Sequence, residues 1–263
     1  MKNLKISIAS YSFHGALAEG RTNVFAYLEA IKYRYRVDWA DIWTGYLPTL
    51  DETFLRAVRR NMDDREIGLA NLCVDGPHLW VDDPDGRAAH KKSMLEYIKA
   101  AEILGAKSIR IDFGGSEGYT MPDEAFEYIV NTFREYCAIC ANTGMKIGPE
   151  NHWGWDRVPE YLVKVRDAVD NPYYGHLFHF GNFFGDKREE GFAAVLPYLM
   201  HTHIHFDSVF PANGGKSLAE EYIPVIAASG YKGTYSVEHH SGQLEFERVE
   251  SQLGRIRAII AEA

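Results

Sequence analysis

Four short stretches in the second half of the chain each carry groups able to bind a metal ion or move a proton. Each stands where an apolar run gives way to a polar loop. Lys146-Ile-Gly-Pro-Glu-Asn-His152 delivers Glu150 and His152, and Phe178-His-Phe-Gly-Asn182 delivers His179 and Asn182. Met200-His-Thr-His-Ile-His205 delivers a row of histidines, and Thr234-Tyr-Ser-Val-Glu-His-His240 delivers Glu238. Two carboxylates and two imidazoles are donors suited to Mn2+, Mg2+, Co2+ or Zn2+. An ion so held can draw in a hydroxyl and a neighbouring carbonyl and stabilise the enediolate left when the proton between them is removed. Sugar isomerisation, epimerisation and β-elimination all begin this way. Singly, each residue has a plainer reading: a strand-end glutamate is a salt-bridge partner, and His179 among phenylalanines is a hydrogen-bonded core residue. Four together favour a site, because charged groups buried without partner or ion are costly.

That argument needs four strands side by side, pointing the same way. Strand-like runs begin at Leu4, Asp38, Ile67, Lys107, Lys146, Gly175, Met200 and Gly233. Helical patterning follows each of them, at about 22–35, 51–65, 86–104, 122–142, 158–169, 187–198 and 217–229, and finally on the face Phe246, Val249, Leu253, Ile256, Ile260. Asp51 is placed to cap a helix start, and Gly105, Gly144 and Gly230 to close helix ends. Strict strand-helix alternation without a linker predicts one domain over 1–263, a single (β/α)8 barrel whose strand C-termini form the active face. The turn Tyr11-Ser-Phe-His-Gly15 lacks the glycine-rich phosphate loop that an open doubly wound sheet would carry there.

Composition narrows the partners. The net charge of -9, with no Lys/Arg run, argues against nucleic acid. No apolar stretch is long enough for a membrane span, and Met1–Ala9 lacks a signal-peptide core, so a cytoplasmic location is expected. Cys73, Cys137 and Cys140 cannot build a disulfide framework, and the last two extend an apolar helical stripe from Phe126 to Phe133. Homo-oligomerisation is left open.

From Ile6-Ser-Ile-Ala-Ser-Tyr-Ser-Phe13 to Gly230-Tyr-Lys-Gly-Thr-Tyr-Ser-Val-Glu238, nearly the whole chain resembles the xylose isomerase-like TIM barrel superfamily, in its sugar phosphate isomerase/epimerase branch. Leu104-Gly-Ala-Lys-Ser-Ile-Arg110, Pro149-Glu-Asn-His152 and the H-x-H of the seventh strand are its other specific pieces. The resemblance implies that Glu150 and Glu238 bind the metal and exchange the substrate proton. It implies His203 as a further ligand, with His205 either a substrate contact or the ligand itself. Where the family has Asp followed three residues later by His, this chain has His179 and Asn182, which keeps an ion and shifts preference toward Mn2+, Co2+ or Zn2+. Mn2+ is the first expectation. Val209 stands where tagatose 3-epimerase-like enzymes place an arginine, and Lys216 is a substitute cation. His152 reads as general base or acid, or as a supporting hydrogen-bond partner. Asp156 reads as a substrate contact or a helix cap, and His78, Arg110, Trp153 and Asn182 as groups lining a carbohydrate site. The expected activity is a metal-dependent sugar isomerase or epimerase, followed by a lyase or dehydratase on a 3-oxo sugar. An endonuclease IV-like nuclease runs against the acidic charge, and a non-catalytic sugar-binding barrel has only the change at His179 in its favour.

Overall fold

The computed structural model describes residues 4–116, 118 and 120–262. Eight parallel strands, β1 (Lys5–Ala9), β2 (Trp39–Trp43), β3 (Gly68–Cys73), β4 (Ser108–Arg110), β5 (Lys146–Gly148), β6 (His176–His179), β7 (Leu199–His205) and β8 (Thr234–Glu238), form one sheet. Their order is β5-β4-β3-β2-β1-β8-β7-β6. The remaining seam, between β5 and β6, is closed by isolated bridges, Ile147 to Tyr174 and Glu150 to Leu177. The result is a nearly closed (β/α)8 barrel, as the strand-helix alternation predicts.

The seam is a place of close approach. A Cβ on Gly148 would lie 1.7 Å from the Gly175 carbonyl oxygen, so only glycine lets β5 and β6 meet there. One side chain then takes over from the backbone ladder. Asn151 Nδ2 donates to the His179 carbonyl at 3.0 Å, and Asn151 Oδ1 accepts from the His179 N–H at 2.7 Å.

The outer helices start and stop where their sequence says. Asp51 Oδ1 accepts from the N–H groups of Thr53 and Phe54, Asp83 caps Pro84–Leu104, and Ser217 with Glu220 forms a capping box on Leu218–Ala228. Gly105, Gly144 and Gly230 all take positive φ at or just beyond helix ends. Apolar stripes such as Leu55, Val58 and Met62 turn inward, and Cys137 and Cys140 are fully buried in Asp123–Cys140. Burial pushes both thiols up to about 12, which suits packing and not redox work.

Three expectations differ in extent. The strand expected over Lys107–Phe113 is laddered only over Ser108–Arg110, because beyond it the Phe113 N–H turns to the Asp156 carboxylate. The first helix is α-helical over Val24–Glu29 and then widens into a π turn, Ala30–Arg34. The helix from Lys187 ends at Val195, and the Pro197 segment continues as a 3-10 turn. Short helical turns at Ser10–Phe13, His14–Ala18 and Phe206–Val209 follow β1 and β7 directly, over the active face. Among the described residues no helix is long and apolar enough to cross a membrane.

Candidate functional site

Beyond Gly148 the Glu150 N–H is taken by Asp112 Oδ1 at 3.1 Å and not by the β4 backbone, so the β4–β5 ladder ends there. This places the Glu150 carboxylate inside the barrel mouth. Its Oε1 lies 3.0 Å from His203 Nδ1 and its Oε2 3.2 Å from Arg110 Nε. Glu238, at the end of β8, directs Oε2 toward three imidazoles: His240 Nε2 at 3.0 Å, His179 Nε2 at 3.3 Å and His203 Nδ1 at 3.5 Å. Donor atoms of Glu150, His203 and Glu238 all lie within 4.8 Å of one another, as do those of His179, Glu238 and His240. Glu150, His179, Glu238 and His240 line a cleft of about 180 Å3 together with Tyr11, Trp43, Cys73, Asp75, Arg110 and His152, and His203 is buried beside them.

The charges are strongly interdependent. Burial alone would raise the Glu150 carboxyl, but His203 and Arg110 overcome it and hold it down to about 2. Burial is likewise outweighed at Glu238, which His203, His179 and His240 keep well below the usual range. For His203 burial disfavours the cation, yet Glu238, Glu150 and Asp41 raise its pKa well above the ordinary value. The geometry gives the reason. His203 Nε2 is 3.0 Å from Asp41 Oδ2 while Nδ1 faces two carboxylates, so Nδ1 calls for a proton or a metal ion.

Those groups could hold a divalent ion, and the donor chemistry of Glu150, Glu238 and His203 fits one. The four proposed ligands are not equivalent. His179 Nε2 is buried without a hydrogen-bond partner among the described residues and faces Glu238. Its Nδ1, however, accepts from the Gly181 N–H at 3.2 Å, which puts the proton of a neutral ring on Nε2. Ligation through His179 Nε2 therefore requires the Gly181 contact to open. Between the two histidines left open by sequence, His203 turns Nδ1 to the carboxylates. His205 bonds Ser208 Oγ at 2.9 Å, stacks on His179 and His240, and lines a neighbouring cavity of about 400 Å3.

The other expected residues divide. His152 lines the cleft, with Nδ1 3.4 Å from Asp112 Oδ2; despite burial, that bond raises its pKa. Arg110 also lines the cleft but is enclosed by Asp75, Asp112 and Glu150, so it balances charge there. Trp153 donates Nε1–H to Asp112 and meets His78 edge to face, both beside the cleft lining and not in it. Asn182 sits past β6, its carbonyl taken by Arg157 Nε. Asp156 is set apart: fully buried, it accepts from the Phe113 N–H, and burial together with Asp112 raises its pKa well above the carboxylate range. Lys216 is exposed in the loop before Leu218–Ala228.

Several members of the site were not singled out by sequence reasoning. Asp41, at mid-strand in β2, reaches His201 and His203 across the barrel. His240 repeats at Glu238 the two-residue offset that His152 has from Glu150, a signal present in the sequence. Asp112 and Asp75 hold Arg110 and carry no motif.

Residues 26–259 match the family described as xylose isomerase-like TIM barrel. The chain belongs to this family. No curated protein sequence matches it. Solved structures similar to this xylose isomerase-like barrel include D-psicose 3-epimerase with D-tagatose from Clostridium cellulolyticum H10, at 16% identity over 98% of this chain and 99% of that one, TM-score 0.77. The IolI protein with a bound zinc atom is 15% identical over 98% and 99% of the two chains, TM-score 0.75. The probable 3-DHS dehydratase AsbF from Bacillus anthracis is 16% identical over 97% and 99%, TM-score 0.70. At such identities the likeness is one of fold.

Proposed function

We propose that this xylose isomerase-like barrel is a divalent-metal-dependent enzyme that isomerises or epimerises a sugar or keto-sugar by moving a proton beside a carbonyl. The observation that carries the reading is the approach of Glu150, His203 and Glu238 donor atoms within 4.8 Å, the two carboxylates lining a cleft. These three would hold the ion, with His179 as a fourth ligand, and a bound ion supplies positive charge where oxyanion character develops. Mn2+ is the first candidate, and the IolI likeness keeps Zn2+ beside it.

The chain's own residues do the rest. Glu150 and Glu238, ionised by their imidazole and guanidinium partners, are the candidate bases for the substrate C–H proton. His152 and His240 lie two residues beyond them with side chains 43% and 47% exposed, a position from which protons can pass between cleft and solvent. Tyr11 and Trp43, ring centroids 5.1 Å apart and nearly perpendicular, give the cleft the apolar surface that sugar C–H faces require.

One asymmetry favours a second reading. His240 bonds Glu238 directly, whereas His152 turns to Asp112 and not to Glu150, so one base is better supplied with a relay than the other. A lyase expelling a β-substituent needs one such base. Incubation with keto-sugars in D2O decides between the two: deuterium at the α-carbon of recovered sugar without elimination product supports the isomerase, and loss of the substituent from a 3-oxo sugar supports the lyase. Less than about one tenth equivalent of any divalent metal after Mn2+ loading would sink both, since a working site needs near-stoichiometric ion.

A further inference from the structure

We propose that Asp41 is the positioning residue of this site, holding the His203 ring so that Nδ1, and not Nε2, faces Glu150 and Glu238. The inference rests on reading Glu150, His203 and Glu238 as a metal site and adds what makes that site possible in a barrel. Asp41 is fully buried at the middle of β2, where an unpaired carboxylate would be prohibitively costly. Its neighbours remove that cost. Oδ2 lies 2.7 Å from His201 Nε2, 3.0 Å from His203 Nε2 and 2.7 Å from Ser236 Oγ, and Oδ1 is 3.2 Å from Asn71 Nδ2.

Each neighbour is fixed in its turn. Ser108 Oγ donates to Asn71 Oδ1 at 2.9 Å, which leaves the Asn71 amide N–H for Asp41. His201 Nδ1 is 3.3 Å from Thr234 Oγ1, which in turn meets Ser7 Oγ at 2.7 Å. Four strands, β2, β3, β7 and β8, thus meet at one carboxylate, and β1 and β4 support them through Ser7 and Ser108, so that it cannot rotate. A ring that donates from Nε2 to a fixed acceptor has its second nitrogen aimed in a fixed direction, and for His203 that direction is the Glu150 and Glu238 pair. Asp41, His201 and His203 are close enough to hold an ion themselves, but each facing atom already has a hydrogen-bond partner, as a brace requires.

Asp41→Asn is the discriminating variant. Its single amide oxygen is a neutral, weaker acceptor and its NH2 cannot accept, so at least one of the four donors must break away and the charge-assisted hydrogen bond from His203 Nε2 is weakened or lost. Two readouts apply. In metal-free protein the Nε2 proton of His203, assigned by its loss in His203→Gln, is expected as a downfield, slowly exchanging NMR signal that moves upfield or vanishes in Asp41→Asn. In Co2+ titrations followed by visible absorption, Asp41→Asn is expected to bind about 10–100-fold more weakly, with altered bands, while wild-type protein binds one equivalent. A folded Asp41→Asn with unchanged proton signal and unchanged Co2+ affinity overturns the positioning role and leaves the metal reading intact. Wild-type protein that takes up no Co2+ overturns the metal reading, and the proton signal then decides the positioning role alone. A second Co2+ equivalent lost in Asp41→Asn overturns the brace in favour of a second ion. If Asp41→Asn does not fold, absence of the downfield signal in wild-type protein is the overturning result.

Discussion

What distinguishes Glu150 and Glu238 from other buried acids is their company. Each is ionised in a dry place by a shared imidazole, His203, and by a partner of its own, Arg110 for one and His240 for the other. Glu150→Gln or Glu238→Gln is expected to slow solvent-deuterium exchange into substrate by about 10²- to 10⁴-fold, the usual weight of a positioned acid-base group. The ligands are also ranked. His203→Gln is expected to weaken Co2+ or Mn2+ binding more than His179→Gln, because His179 Nδ1 already accepts the Gly181 N–H; equal losses in a metal titration would contradict that ranking. The meeting of Glu150, Glu238 and His203 was legible because all three stand at or near strand ends and match a motif. Asp41 was not: in Asp38-Trp-Ala-Asp-Ile-Trp43 it looks like any strand polar residue, and only barrel closure brings β2 against β7. Asp156 could not be placed from sequence, where it reads as a substrate contact or a helix cap: its side chain turns back to brace the Phe113 N–H.

At the scale of elements, strands and helices were readable because alternation, caps and glycine stops agree with one another, as at Asp51, Ser217, Gly105 and Gly230. The short turns over the active face were not, since Ser10–Phe13 and Phe206–Val209 are too brief to show a period. The β5–β6 seam was also hidden: its strands look ordinary, but contact there falls to two bridges and the Asn151 amide. Asn151→Ala leaves a buried N–H and a buried carbonyl of His179 without this partner. The expected cost is about 1–3 kcal/mol in urea unfolding. Faster amide exchange at Leu177 and His179 should accompany it, and exchange unchanged at both would count against the clamp.

At the scale of the whole molecule, His176 is a source of acid sensitivity away from the cleft. His176 is buried with both ring nitrogens unpartnered among the described residues, and burial, aided by Arg166, lowers its pKa to about 3. Between that value and the ordinary histidine pKa, the unfolded chain binds a proton that the folded chain refuses, so stability falls as pH falls. From pH 7.5 to pH 5 the loss from this residue is about 2 kcal/mol, taking an unfolded pKa of about 6.5. His176→Leu is expected to lose less stability over that interval; an identical pH profile of the urea midpoint would remove His176 as the cause.

The seam has a consequence for connectivity. β1 and β8 come from opposite ends of the chain yet pair by a regular ladder from Lys5 with Thr234 to Ile8 with Val237, while β5 and β6, joined through Pro159–Val169, touch more sparingly. The barrel's natural break is therefore in mid-chain. A circular permutant beginning at β6 and ending after β5, with its former ends linked, would cut few backbone bonds. It would, however, leave His179 on its first strand and Glu150 on its last, so that the candidate metal site would join the two bridges and the Asn151 amide in tying the new ends together.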